Sequence, residues 1–231
     1  MATAGISLVR DNTERQRPPR FLWVPFELGR PLGRPNDPEL QFRVLRQLLS
    51  LLERDGPPPI LENFPENSFN EYSENIGWSC PVPFSSSLNS KGSNLLSSLL
   101  KEISDLAPWH QYACDRRGRT TTGVLEVPIG EIAVFLHSVL VGNLISPNLE
   151  VSVGQAFRLG CEELKTYYLE SAMAKPAPVL SHVLSDWFWG DTVAGRLLLK
   201  LYPVALNSKN EDIRQVGISQ LVPRRQYHRL G

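Results

Sequence analysis

Hydrophobic and polar positions follow two rhythms along this chain. As far as residue 65, short apolar runs alternate with charged or Gly/Pro-rich stretches. Beyond residue 95, apolar positions recur at three- and four-residue steps. In the first part, Ile6, Leu8 and Val9 predict a short strand within Gly5 to Arg10. The charged stretch Asp11 to Arg20, closed by Pro18-Pro19, predicts a brief helix or loop. Phe21 to Phe26 has the aromatic and β-branched composition of a buried strand, and Pro25, lacking an N–H, places it at an edge or ends it there. Gly29, Pro31, Gly33 and Pro35 then allow neither helix nor strand. Asp37 as cap, Pro38 at the first turn and Glu39 near the positive end of the dipole predict a helix start. Leu40, Val44, Leu48, Leu51 and Leu52 form its inner face, with Arg43, Arg46, Gln47 and Ser50 opposite, and Gly56 before Pro57-Pro58-Pro59 stops it. Ile60 to Pro65 reads as another extended piece.

From Glu66 to Ser98 the chain is rich in Asn, Ser and Glu, a linker composition interrupted by the apolar anchors Phe69, Tyr72, Ile76, Trp78, Val82 and Phe84. Helical periodicity follows. Leu95 to Leu106 predicts a helix ended before Pro108, and Gly118 marks a turn in the polar stretch Arg116 to Thr122. Pro128 to Leu144 and Val151 to Lys175 predict two more helices, the second with Val153, Ala156, Phe157, Gly160, Leu164, Tyr168 and Ala172 on one side. Val179 to Phe188, Val193 to Leu206 (kinked at Pro203) and Asp212 to Leu221 complete the series, before a basic, frayed tail. The expected fold class is α/β followed by mainly α: a small βαβα open-sheet, Rossmann-like half over 1–65, an irregular linker over 66–94, a helical bundle-like domain over 95–223 and a basic tail over 224–231.

Composition narrows the function classes. Lys+Arg and Asp+Glu are both 24, and this balance argues against a nucleic-acid binder. No apolar run approaches the ~20 residues of a membrane span, and the N-terminus lacks signal-peptide features. A cytoplasmic location is expected, in keeping with three unclustered cysteines.

The most suggestive stretch is the connector after Phe26. A loop between the carboxyl end of a strand and a helix N-terminus is where open α/β sheets bind ligands, because unsatisfied N–H groups and the dipole favour anions. Arg30 and Arg34 add guanidinium groups to it. Glu27, Gly29, Arg30, Gly33, Arg34 and Asn36 are therefore the candidate substrate-binding or interface residues, with a small anionic ligand as the expected occupant. The loop matches no phosphate-binding fingerprint.

Val24-Pro25-Phe26-Glu27-Leu28-Gly29-Arg30-Pro31, the Pro/Asp-rich turn after it and the Arg- and Leu-rich helix resemble the closing segment of the selenoprotein B family. That family comprises the substrate-specific subunits of glycine, sarcosine, betaine and D-proline reductases. The resemblance covers about residues 3–64. It implies an oxidoreductase component acting on amino-acid derivatives, with a thiol/disulfide couple as redox partner and no cofactor. In the family a Cys/selenocysteine pair precedes this segment, and nothing before it here carries such a pair. The resemblance thus implies that the pair resides on a redox-subunit partner or an upstream region, or that the chain has lost the chemistry. The alternative is a non-catalytic binding or assembly protein built from an α/β remnant and a helical module.

Other chemistry-bearing residues are scattered. No Cys-x-x-C pair exists; Cys80 and Cys114 are the candidate thiols, Cys114 with Arg116, Arg117 and Arg119 just downstream, and Cys161 reads as a helix-packing residue. His110, His137, His182 and His228 show no metal-ligand spacing among themselves, so no metal site is expected. His137 reads as a core or rim histidine, and His182 lies one turn before Asp186, within reach of an imidazole–carboxylate pair. Trp187-Phe188-Trp189 reads as core, and Glu162, Glu163 and Glu170 read as a solvated helix face.

Overall fold

The computed structural model describes residues 2–65, 78–80, 82, 94–144, 150–174, 179 and 181–230. The chain divides into two compact units, Met1–Asn75 and Ile76–Gly231. Most of the expected linker, including Phe69, Tyr72, Ile76 and Phe84, lies outside the described residues.

In the first unit, three strands form a parallel sheet in the order β1 (Gly5–Ser7), β2 (Arg20–Trp23) and β3 (Ile60–Asn63). Gly5 faces Phe21 across the first pair, and Arg20 faces Ile60 across the second. Parallel neighbours need crossovers, and the chain supplies α1 (Arg10–Gln16) and then α2 (Pro38–Ser50). Pro25 follows the end of the central strand and so does not mark a sheet edge. Asp37 caps α2 by accepting from Leu40 N at 3.1 Å, with Pro38 at the first turn. Leu40, Val44 and Leu51 turn inward onto Leu22, Val24, Phe26 and Phe64. Leu52, expected on that inner face, is exposed instead. After Ser50 the chain tightens into a 3-10 turn over Leu51–Glu53, and three residues per turn rotate Leu52 away while Leu51 stays inside.

The second unit is helical: α3 (Leu95–Arg117), α4 (Ile129–Leu140), α5 (Val153–Ala172), α6 (Ser181–Asp191), α7 (Val193–Leu206) and α8 (Glu211–Ser219). Helix α5 packs against each of the other five. It is accordingly buried on most of its circumference, the condition of a helix at the centre of a core. Helices α6 and α7 meet closely, because a Cβ on Gly195 would stand 2.1 Å from the carbonyl oxygen of Phe188. Trp187 and Trp189 are both buried, Trp187 edge-on to Trp78 with ring centroids 5.7 Å apart.

Two expectations are corrected here. Helix α3 does not end before Pro108 but runs on to Arg117 and stops at Gly118, whose φ of 64° suits a left-handed cap. A proline within a helix forfeits one backbone bond. Flanking contacts compensate: Leu106 and Ala113 are buried on either side, and the Tyr167 phenol donates to the Ile103 carbonyl at 3.0 Å. The tail is not frayed either. Arg224–Arg229 forms a 3-10 helix around the fully buried Gln226, which donates to Ser185 Oγ at 3.2 Å and Asp186 Oδ1 at 2.8 Å. Asp186 therefore serves the tail.

Candidate functional site

The predicted loop of the first unit is a chain of local turns. Arg30 N donates to Glu27 O at 3.0 Å, and Gly33 N to Arg30 O at 2.9 Å. Gly29, Gly33 and Asn36 have φ values of 88°, 84° and 59°, the region glycine and asparagine adopt most readily. A Cβ on Gly33 would also meet Leu40 Cδ2 at 2.7 Å. Gln41 Nε2 donates to Arg34 O at 2.7 Å, fixing the loop to the first turn of α2. Glu27, Gly29, Arg30 and Asn36 are exposed, whereas Gly33 and Arg34 are half-buried. The loop thus lies at the carboxyl end of β2 and leads into α2. One early amide of α2 is already occupied by Asp37.

A second constellation lies in the helical unit, where the sequence showed only separate residues. His110 and Cys114 are four apart on α3 and so share a face. Glu170 reaches them from α5. Its Oε2 stands 3.2 Å from His110 Nε2, and the Cys114 Sγ lies 3.7 Å from Nδ1 and 3.9 Å from Nε2. One nitrogen, sulfur or carboxylate oxygen from each of the three residues lies within 4.8 Å of the others. Tyr167 stacks on the imidazole with centroids 4.5 Å apart. The connector after α3 closes the group: Thr120 Oγ1 donates to Glu170 Oε2 at 2.6 Å, and Thr121 N and Oγ1 donate to Oε1 at 3.0 and 2.9 Å. Thr122 Oγ1 is 3.4 Å from His110 Nε2.

Electrostatics follow from this packing. Burial lowers the His110 pKa against the opposing pull of Glu170. Burial alone would raise the Glu170 pKa, but the hydrogen bonds from Thr120 and Thr121 outweigh it and hold the carboxyl below its usual range. The sulfur is nearly equidistant from two nitrogens that flank one ring carbon. It therefore lies off the in-plane lone pair of either, and the thiol is not hydrogen-bonded in line to a base. Cys161 is wholly buried and its thiol is pushed up to about 12 by desolvation, which suits a packing residue. Cys80 is half-buried against the helical core. None of the three cysteines is in a disulfide.

The reading of Glu163 and Glu170 as solvated is corrected: only Glu162 faces water, while Glu163 and Glu170 are 4% and 7% exposed. Glu163 accepts from Gly123 N at 3.0 Å and Leu125 N at 2.6 Å. A third carboxylate, Glu102, is 1% exposed and accepts from Tyr168 Oη at 3.0 Å and from Val193 N, at the start of α7, at 2.8 Å. Burial raises its pKa to about 7, opposed by those hydrogen bonds. The sequence signal available for Glu163 and Glu170 was their seven-residue spacing, two helical turns, which puts both on one side of α5 beside the apolar stripe. For His110 and Cys114 it was the four-residue spacing, visible only once α3 is known to continue past Pro108.

No known protein family, curated protein or solved structure matches the chain. Among the described residues no helix is long and apolar enough to cross a membrane.

Proposed function

We propose that the chain is a component of a thiol-dependent reductase of the selenoprotein B type. It acts on a small amino-acid derivative, with the thiol/disulfide couple supplied by a redox-subunit partner or an upstream region. The observation supporting this reading is the loop Glu27–Asn36, at the carboxyl end of the central strand of a parallel sheet and leading into a helix N-terminus. That is the position at which open α/β sheets bind ligands. In this reading the first unit is a Rossmann-like half and the second a helical bundle-like module. Gly29 and Gly33 let the backbone turn, Arg30 and Arg34 attract the carboxylate of the substrate, and Glu27 and Asn36 border the contact with the redox partner. The reducing electrons come from that thiol/disulfide couple.

The second reading, a non-catalytic binding or assembly protein, is favoured by the absence of a Cys-x-x-Cys pair from the sequence. A calorimetric titration with sarcosine, betaine and D-proline separates the two, run on wild type and on Arg30→Ala/Arg34→Ala. The reductase reading expects saturable heat from at least one of these compounds in wild type and its loss in the double variant. Absence of heat in wild type, or equal heats in both proteins, refutes it.

A further inference from the structure

We propose that His110, Cys114 and Glu170 form a binding site for a transition-metal dication of the zinc class, independent of the reductase reading. A thiolate, an imidazole and a carboxylate together suit a borderline-soft ion, and all three ligand types are found on protein-bound zinc. With bonds of about 2.0–2.3 Å, a tetrahedral centre keeps its ligand atoms roughly 3.3–3.8 Å apart. Here Nε2 and Oε2 are 3.2 Å apart, Sγ and Nε2 are 3.9 Å apart, and all three donors fall within 4.8 Å. One ion can touch all of them after small side-chain movements.

The surroundings are those of a ligand set held in place. Carboxylates that bind metal are themselves hydrogen-bonded by neighbouring groups, and Glu170 receives three such bonds from Thr120 and Thr121. The imidazole rests on Tyr167, whose phenol is anchored to the Ile103 carbonyl. Two ligands come from one turn of α3 and the third from α5, so the ion would tie together two helices of the core. The imidazole turns about its side-chain bonds when the ion enters, so that the Nε2 lone pair points at the ion while Nδ1 carries the ring proton. Three protein ligands leave a fourth position for water or another small donor, beside Thr122. Binding releases the Cys114 proton to solvent and forms one sulfur–metal bond, with no change of oxidation state.

The test uses the full chain kept reduced with a phosphine. Zinc is loaded and then competed with a chromophoric chelator, and cobalt(II) is added separately as a spectroscopic probe. Wild type is expected to hold one zinc per chain. It should also give a thiolate-to-cobalt charge-transfer band in the near ultraviolet. Cys114→Ser should lose that band and bind zinc more weakly by about a hundredfold or more, since losing even an outer-shell partner costs ~10–100-fold, with an unchanged helical circular dichroism spectrum. Should Cys114→Ser fail to fold, His110→Asn serves in its place, with the same loss of zinc affinity expected. Three results overturn the proposal: no zinc retained by wild type, a cobalt complex without the thiolate band, or equal zinc affinity in wild type and the folded variant.

Discussion

Two connectors of this protein look alike in sequence and are held by different means. Residues 29–37 and 118–128 each begin with Gly-Arg, carry a second glycine and lead through proline into a helix. The first is held from within: each turn is closed by its own backbone, Asp37 caps the helix it enters, and Gln41 reaches back to Arg34 O. The second is held from without, by Glu163 and Glu170 on α5, whose carboxylates take the amides of Gly123, Leu125 and Thr121 across 38 to 49 residues of sequence. The difference has an energetic basis. In the second connector Leu125 is buried and its amide must be given a partner inside the core, whereas Thr121 and Gly123 are exposed residues whose amides are drawn to the same buried carboxylates rather than to water. Charged acceptors supply stronger bonds than neutral ones, about 1.5–3 kcal/mol each.

Removing an external acceptor should separate the two connectors most strongly. Glu163→Ala leaves the amides of Gly123 and Leu125 without their partner beside a buried leucine. It should lower unfolding free energy by about 3 kcal/mol or more, read from urea denaturation. Glu163→Gln, which keeps one acceptor, should cost less. A loss below 1 kcal/mol for Glu163→Ala, about the worth of one ordinary hydrogen bond, would put the second connector in the same class as the first.

The third buried carboxylate gives a pH signature. The Glu102 pKa is about 7 in the folded chain against 4.5 as its reference. Between those values the folded state holds a proton that the unfolded state has released, so this group's contribution to stability falls as pH rises through the window. The span corresponds to roughly 3–4 kcal/mol. In Glu102→Gln that component of the pH dependence should vanish, measured as the difference between the two proteins' denaturation curves from pH 4.5 to 7. Parallel profiles would mean that the carboxyl does not titrate in that range.

The first connector should respond least. Asp37→Ala removes one helix cap and should cost about 1 kcal/mol. A thermal melt showing a loss as large as that of Glu163→Ala would mean that this loop, too, depends on an acceptor that turn chemistry does not reveal.

The same contrast explains what could be read in advance. Asp37, Pro38 and the Leu40/Val44 periodicity act over a few residues, so helix α2 and its start were legible, as were the short strands around Ile6 and Phe21 and the bounds of α7. Pro108 misled because local chemistry breaks a helix there, and the opposing contacts come from α5, with Tyr167 more than fifty residues away. Beyond their seven-residue spacing beside the apolar stripe, Glu163 and Glu170 carry no local mark of burial, since a charged residue on a helix usually faces water. Their role exists only after the connector has folded over α5. The gathering of His110, Cys114 and Glu170 was hidden for both reasons at once.

Amide hydrogen exchange on the native protein tests the central contrast most directly, since it reports each connector group by group. External carboxylate acceptors predict that Thr121, Gly123 and Leu125 exchange slowly despite lying outside any helix. They also predict that Glu163→Ala accelerates Gly123 and Leu125 while leaving Thr121, which bonds to Glu170, as slow as before. Fast exchange at all three amides in wild type, or an unchanged pattern in the variant, would contradict the account.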